Sequence, residues 1–213
     1  MATFIELISD NSKLTPNQVE HLEQLVAEWR LLADLSFADL VLWLPIRKDE
    51  KSWPEGYIAI AQIRPTTAAT VFSNDLIGST INWGSRPKID QALSDGEIVR
   101  DTDPELVGEI MIKEESVPVI FEGNTLAVIS RHRNADLMRL PSKLELNYRE
   151  IAHKIFRMVT EGSFPIRNSI YNSESTPRVG DGLIRLDPNG VIFFASPNAR
   201  SALSRVGYQS EVE

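Results

Sequence analysis

Apolar residues recur at Val19, Leu22, Val26, Trp29 and Leu32, the three-to-four spacing of one buried helical face, while Glu20, Glu23, Gln24 and Arg30 fall elsewhere. Thr15-Pro16-Asn17-Gln18 supplies a start for this helix. Thr15 stands as cap, Pro16 takes the first helical position, and Gln18 is placed to bond back to the cap. Leu25 and Leu31 form a second apolar face, which predicts contact on more than one side. The period then changes from helix to strand. Residues 40–44 and 57–63 are rich in aliphatic and aromatic side chains, and the polar segment 47–56 between them holds Pro54 and Gly56. Two strands joined by a loop follow, with antiparallel pairing the simplest connection.

Ser85-Arg86-Pro87 predicts a short helix capped there, running through Ala92 and ending near Gly96. Residues 117–121 and 125–131 flank Glu122-Gly123-Asn124, the clearest hairpin signal, with glycine available for a positive φ. After Pro141, Ser142-Lys143-Leu144-Glu145 forms a second capping box. Its helix carries Leu144, Tyr148, Ile151, Ile155 and Val159 on one face and stops at Gly162. Two amphipathic helices thus bracket at least four strands, an α+β arrangement with an antiparallel sheet. Segment 163–177 is polar, with Pro165 and Pro177, and reads as a linker. Beyond it, 182–186, the Asp187-Pro188-Asn189-Gly190 turn and 191–195 predict a second hairpin, and Ser196-Pro197 opens a short helix. This last unit is too small to bury a stable core alone.

Composition narrows the function. The 213 residues are 42% apolar and 24% charged with a net charge of −8, ordinary globular usage, and there is no cysteine. Disulfides, thiolate metal sites and a cysteine nucleophile are therefore excluded. No apolar run approaches the ~18 residues of a membrane span, and the N-terminus lacks signal-peptide character, so the expected address is the cytoplasm, with no membrane partner. The acidic excess is local, with eight acids against two bases between Asp95 and Glu115. This stretch reads as a solvated loop, or alternatively as a docking face for a basic partner. Nucleic acid is not an expected partner, because phosphate binding needs a clustered basic face.

Candidate chemistry is sparse. His21, His132 and His153 show no metal-ligand spacing and read as structural or surface residues, so no metal site is expected. Nucleophile elbows, Walker loops and dinucleotide fingerprints do not occur in the sequence, and no catalytic residue is assigned. Asp34 and Asp39 read as caps or ion-pair partners rather than an acid–base pair. Arg64 and the Arg131-His132-Arg133 cluster end predicted strands. Converging there, Arg64, Arg131 and His132 would hold an anionic small ligand over a floor of Trp43 and Phe37, with surface ion pairing the competing role.

The run from Glu28 to Leu40, Glu-Trp-Arg-Leu-Leu-Ala-Asp-Leu-Ser-Phe-Ala-Asp-Leu, resembles the N-terminal signature of cytosolic actinobacterial sensor histidine kinases of the PdtaS type. The likeness continues through Ala61-Gln62-Ile63-Arg64-Pro65 and Glu161-Gly162-Ser163-Phe164-Pro165. It resumes from Pro177 to Gly182, from Arg185 to Asp187 and from Ala195 to Ala199. The resemblance implies a GAF-like sensor domain over residues 1–162, the linker 163–177, and the N-terminal fragment of a PAS-like domain over 178–213. It further implies that the phosphoacceptor and ATPase domains lie outside this chain. The chain itself is then a non-catalytic signal-input region without a cofactor of its own. The parent kinase would use ATP and Mg to phosphorylate a histidine, pass the phosphoryl group to a response regulator, and act as a homodimer, with a small molecule as a possible signal. A ligand-free dimerisation and docking scaffold is the alternative.

Overall fold

The computed structural model describes residues 2–49, 52–100, 103–107, 109–135, 140–166 and 178–207. Three helices open the chain. Helix α1 (Phe4–Asn11) was not anticipated, although Thr3 and Glu6 form a full capping box at its start. Helix α2 (Pro16–Ala27) begins as predicted, with Thr15 and Gln18 bonding reciprocally. The expected continuous helix is interrupted at Glu28, where the backbone takes φ −89° and ψ 0°, and resumes as α3 (Trp29–Ser36). The buried face stays continuous across the break. It runs through Leu22, Leu25, Trp29 and Leu32, with Leu25 rather than the half-buried Val26 in the core.

Strands β1 (Asp39–Ile46) and β2 (Gly56–Ile63) pair antiparallel, as their composition predicts. β3 (Thr80–Asn82) extends the sheet beside β2. Helix α4 (Pro87–Asp95) follows, ending at Gly96 in the left-handed region; its cap position is Arg86, not Ser85. Two short strands, β4 (Val99–Arg100) and β5 (Glu105–Val107), lead into the long hairpin β6 (Ile110–Phe121) and β7 (Asn124–Asn134). Glu122 and Gly123 turn this hairpin with φ of 49° and 80°, and Phe121 pairs with Asn124 across it. Positive φ at both central residues matches the twist of the flanking strands. The strand order is β3-β2-β1-β7-β6-β4, with β5 also on β6.

Alternation along the strands separates two cores. Leu40, Leu42, Leu44, Val117, Val119 and Leu126 pack with α1, α2, α3 and helix α5 (Lys143–Thr160). Val41, Trp43, Tyr57, Ala59 and Val128 face the other way, against Ile89, Ala92 and Leu93 of α4. Helix α5 starts at the predicted Ser142–Glu145 capping box. Its buried ridge is Tyr148, Ala152, Phe156 and Val159, with Ile151 alongside; Ile155 is only partly buried, because the four-residue step from Tyr148 lands on Ala152 and Phe156. Trp29, Leu32, Tyr148 and Ile151 are therefore spent inside the subunit.

Most of the acidic stretch is exposed, as its solvated reading expects, including Asp95, Glu97, Asp103, Glu105 and Glu109, but its last two acids are not. Glu114 and Glu115 lie on β6 with side chains only 11% and 9% exposed, paired to Arg86 and to Arg100 and Arg131. Of the predicted linker, 163–166 closes back on α5, since the amides of Ser163 and Phe164 donate to the Met158 carbonyl; residues 167–177 lie outside the described residues. The C-terminal unit contains β8 (Ile184–Leu186), β9 (Ile192–Ala195) and α6 (Pro197–Arg205), as read from its turn and cap. It docks rather than stands alone. Val179 joins the helical-face core, Phe194 meets Tyr148 edge-on, and Arg185 forks onto Glu150.

Candidate functional site

The five residues expected to line one anion pocket are distributed over both faces of the sheet. Trp43 and His132 lie on the α4 side, where the indole N–H donates to Ser130 Oγ at 2.8 Å and His132 Nε2 stands 2.8 Å from the same oxygen. Both rings are buried, and Phe72 covers His132 edge-on. Arg64 leaves the end of β2 to pair with Asp75 at 2.8 Å. Arg131 and Phe37 lie on the opposite, helical face: Arg131 sits over the Phe156 ring, and Phe37 packs on Tyr148 under the Arg149 guanidinium. The parity of β1 and β7 makes this separation unavoidable, because Arg131 and His132 are neighbours and must point to opposite faces.

Asp34 and Asp39 hold the segment that covers the end of the sheet. Asp34 accepts from the Thr66 amide and hydroxyl, and Asp39 from Thr70 Oγ1 and the Val71 amide. Burial pushes the Asp39 carboxyl up, with these donors working against the shift. Their role is structural.

The charged cluster on the helical face is larger than its sequence neighbours suggested. Strand pairing sets Lys113 opposite Arg133 and Glu115 opposite Arg131. Helix α5 adds Arg149 and His153, one turn apart on a single ridge, and β4 adds Arg100. Glu115 bridges Arg100 and Arg131, the second at 2.6 Å. Arg100 also donates to His153 Nδ1 at 3.0 Å, which requires that nitrogen to be unprotonated. Burial, and then Arg100, hold the His153 pKa below its ordinary value. These side chains line a cavity of about 250 Å³, and a second of about 290 Å³ shares Lys113, Arg133 and Arg149 as its wall. The strand read as 125–131 runs on to Asn134, which puts Arg131 and Arg133 on one face, a pairing the shorter strand did not contain. Lys113, Glu115 and Arg149 were not legible either, since the register and the helix placement that bring them there are tertiary.

On the α4 side, Trp43, Tyr57, Ile89 and Leu93 are buried between helix and sheet, with Phe72, Leu76 and Trp83 packed against them. A curled antiparallel sheet with helices on both faces and this division of cores defines a GAF-type sensor domain. The sequence profile described as "Histidine kinase PdtaS, GAF domain" matches residues 4–152, and the chain belongs to that family. It is 38% identical over 216 residues to the sensor histidine kinase PdtaS of Mycolicibacterium smegmatis and 37% identical over 217 residues to that of Mycobacterium tuberculosis. Each alignment covers all of this chain and 42% of the relative, so the chain spans less than half the length of these curated relatives. A solved structure described as the sensor region of a sensor histidine kinase superposes with a TM-score of 0.78 at 36% identity, covering the whole chain and 72% of that structure. The chain corresponds to the sensory part of these proteins. No described helix is long and apolar enough to cross a membrane.

Proposed function

We propose that this chain is the signal-input region of a histidine kinase and is itself non-catalytic, with the phosphoryl chemistry carried by parts of a longer protein outside it. The parent then uses ATP and Mg to phosphorylate a histidine and passes the phosphoryl group to a response regulator in the cytoplasm. The end-to-end agreement with a kinase sensor region supports this reading. The division into a GAF-like unit over 1–162, a linker over 163–177 and the beginning of a PAS-like unit over 178–213 belongs to the same proposal. In it, α5 is the shared element: Arg149 and His153 face the cationic cavity while Tyr148 and Glu150 touch the C-terminal hairpin. A ligand that favours one setting of α5 over another would reach the hairpin directly.

The parent is proposed to act as a homodimer. Because Trp29, Leu32, Tyr148 and Ile151 are buried within the subunit, the dimer contact uses other surfaces. A ligand-free docking scaffold is the second reading, favoured by the buried apolar cluster on the α4 side. Deleting this region from the full-length protein is expected to leave ATP-dependent histidine phosphorylation in place while changing its level. An unchanged level, or phosphorylation by the isolated chain, overturns the input reading. Sedimentation of the full-length protein as a monomer at high concentration overturns the dimer.

A further inference from the structure

We propose that the cationic cavity between α5 and the β6–β7 ladder binds a compact multivalent oxyanion, a small phosphate ester or polycarboxylate, through Lys113, Arg133 and Arg149. The inference rests on the reading of this chain as a ligand-sensing input region and names the class of its ligand.

Charge at the site is out of balance with the rest of the molecule. In a chain of net charge −8, five permanent cations, Arg100, Lys113, Arg131, Arg133 and Arg149, line one cavity. Glu115 satisfies two of them, Arg100 and Arg131. Glu114 also lines the cavity, but its carboxylate pairs with Arg86 at 2.9 Å. Among the described residues, no carboxylate lies within ion-pair distance of Lys113, Arg133 or Arg149. Glu145, on the wall of the adjoining cavity, accepts instead from the Ser142 amide.

The arrangement costs stability unless an anion offsets it. Lys113 and Arg133 are direct cross-strand partners, and like charges so placed repel. Arg149 Nε is buried without a hydrogen-bond partner, an expense that native structures seldom carry for nothing. Burial, and then the neighbouring Arg100 and Arg149, lower the pKa of Arg131, while burial, and then Arg149 and Arg131, lower that of Arg133. Guanidinium groups pair bidentately with phosphate and carboxylate, and three cations with no carboxylate partner among the described residues, at the junction of two cavities, suit a ligand with more than one anionic group. Size sets the upper limit. Cavities of about 250 and 290 Å³ fall just under the usual ~300–1,000 Å³ of small-molecule sites, which favours a compact anion.

The test is calorimetric titration of the whole chain with inorganic pyrophosphate and, separately, with citrate, against sodium chloride of matched ionic strength. Saturable binding by pyrophosphate alone assigns a phosphate ester, by citrate alone a polycarboxylate, and by both the shared class. Arg149→Gln and Arg133→Gln are each expected to weaken binding about tenfold or more, as loss of a charge-assisted pair does. Lys48→Gln, at a remote exposed ion pair, should leave it unchanged. If Arg149→Gln fails to fold, Lys113→Gln serves in its place. Absence of saturable binding by either probe, or binding indifferent to these substitutions, overturns the proposal. Loss of this binding claim would leave the deletion experiment on the full-length protein untouched, so the two readings fail separately.

Discussion

Among the described residues, Glu115 is the carboxylate paired within the cationic cluster, and Glu115→Gln removes its charge while keeping its shape and one acceptor oxygen. Its side chain is 9% exposed and that of Arg131 24%, so this arm behaves as a buried pair; Arg100, at 53%, sits at the rim. Breaking a buried pair costs about 3–5 kcal/mol because the surviving charge stays desolvated. The exposed arm adds at most about 1 kcal/mol, and the remaining amide oxygen recovers a comparable amount. Those two smaller amounts cancel, and because Arg131 keeps 24% of its side chain exposed the expected loss lies at the low end, about 3 kcal/mol. For a chain of this length each kcal/mol shifts the melting temperature by about 2–4 °C, which gives a drop of about 6–12 °C. Thermal unfolding followed by circular dichroism reads it directly. A drop below about 2 °C would refute the claim that Glu115 neutralises a buried cation. The same variant carries one negative charge fewer in the cavity. Pyrophosphate should stabilise it more than the unaltered chain, and equal stabilisation would separate Glu115 from the anion site.

Other consequences are open to simple measurement. Phe156→Ala, which empties the centre of the helical-face core and takes away the ring under Arg131, should cost about 3–5 kcal/mol in urea unfolding. Gly56→Ala would place a Cβ 2.2 Å from the Ile81 carbonyl oxygen, so β3 must detach or shift. A loss of about 1–3 kcal/mol is expected, whereas Gly180→Ala, in open space, should change stability by less than about 0.5 kcal/mol. Glu150 titrates at about 2 instead of 4.5 because Arg185, and then Lys154, hydrogen-bond its carboxylate. Its contribution is present above pH 4.5 and is lost as pH falls toward 2; Glu150→Gln should remove that part of the acid dependence, at a cost near pH 7 of only about 0.5–1 kcal/mol for so exposed a group. His153, held below its ordinary 6.5, favours the folded state above that pH and loses this advantage as pH falls from 6.5 through the folded value. A proton NMR titration giving 6.5 or higher in the unliganded chain would contradict the Arg100–His153 contact, and added pyrophosphate should raise the value.

Local signals in the sequence determined most of the element types. Thr15 with Gln18, Ser142 with Glu145, and Ser196 with Pro197 mark helix starts because short-range side-chain hydrogen bonds satisfy the first amides wherever the chain later packs. Glu122-Gly123 and Asp187-Pro188-Asn189-Gly190 fix turns for the same local reason, and the runs between them alternate or repeat with a legible period. Family membership was legible too, since the matching segments recur in order along the chain. What the sequence did not determine is which side chains meet. Arg131 and His132 are adjacent, yet one joins Glu115 and Phe156 while the other joins Ser130 and Phe72 across the sheet. Lys113 and Arg149, 36 residues apart in the numbering, share a cavity wall. The acidic count between Asp95 and Glu115 suggested a solvated loop because composition carries no information about register. Pairing β6 with β7 set Glu115 beside the half-buried Arg131, and the placement of α4 brought the half-buried Arg86 to Glu114. Periodicity acts within a few residues and survives in any fold, whereas a charge cluster assembled from β4, β6, β7 and α5 exists only once the sheet has closed and α5 has settled on it.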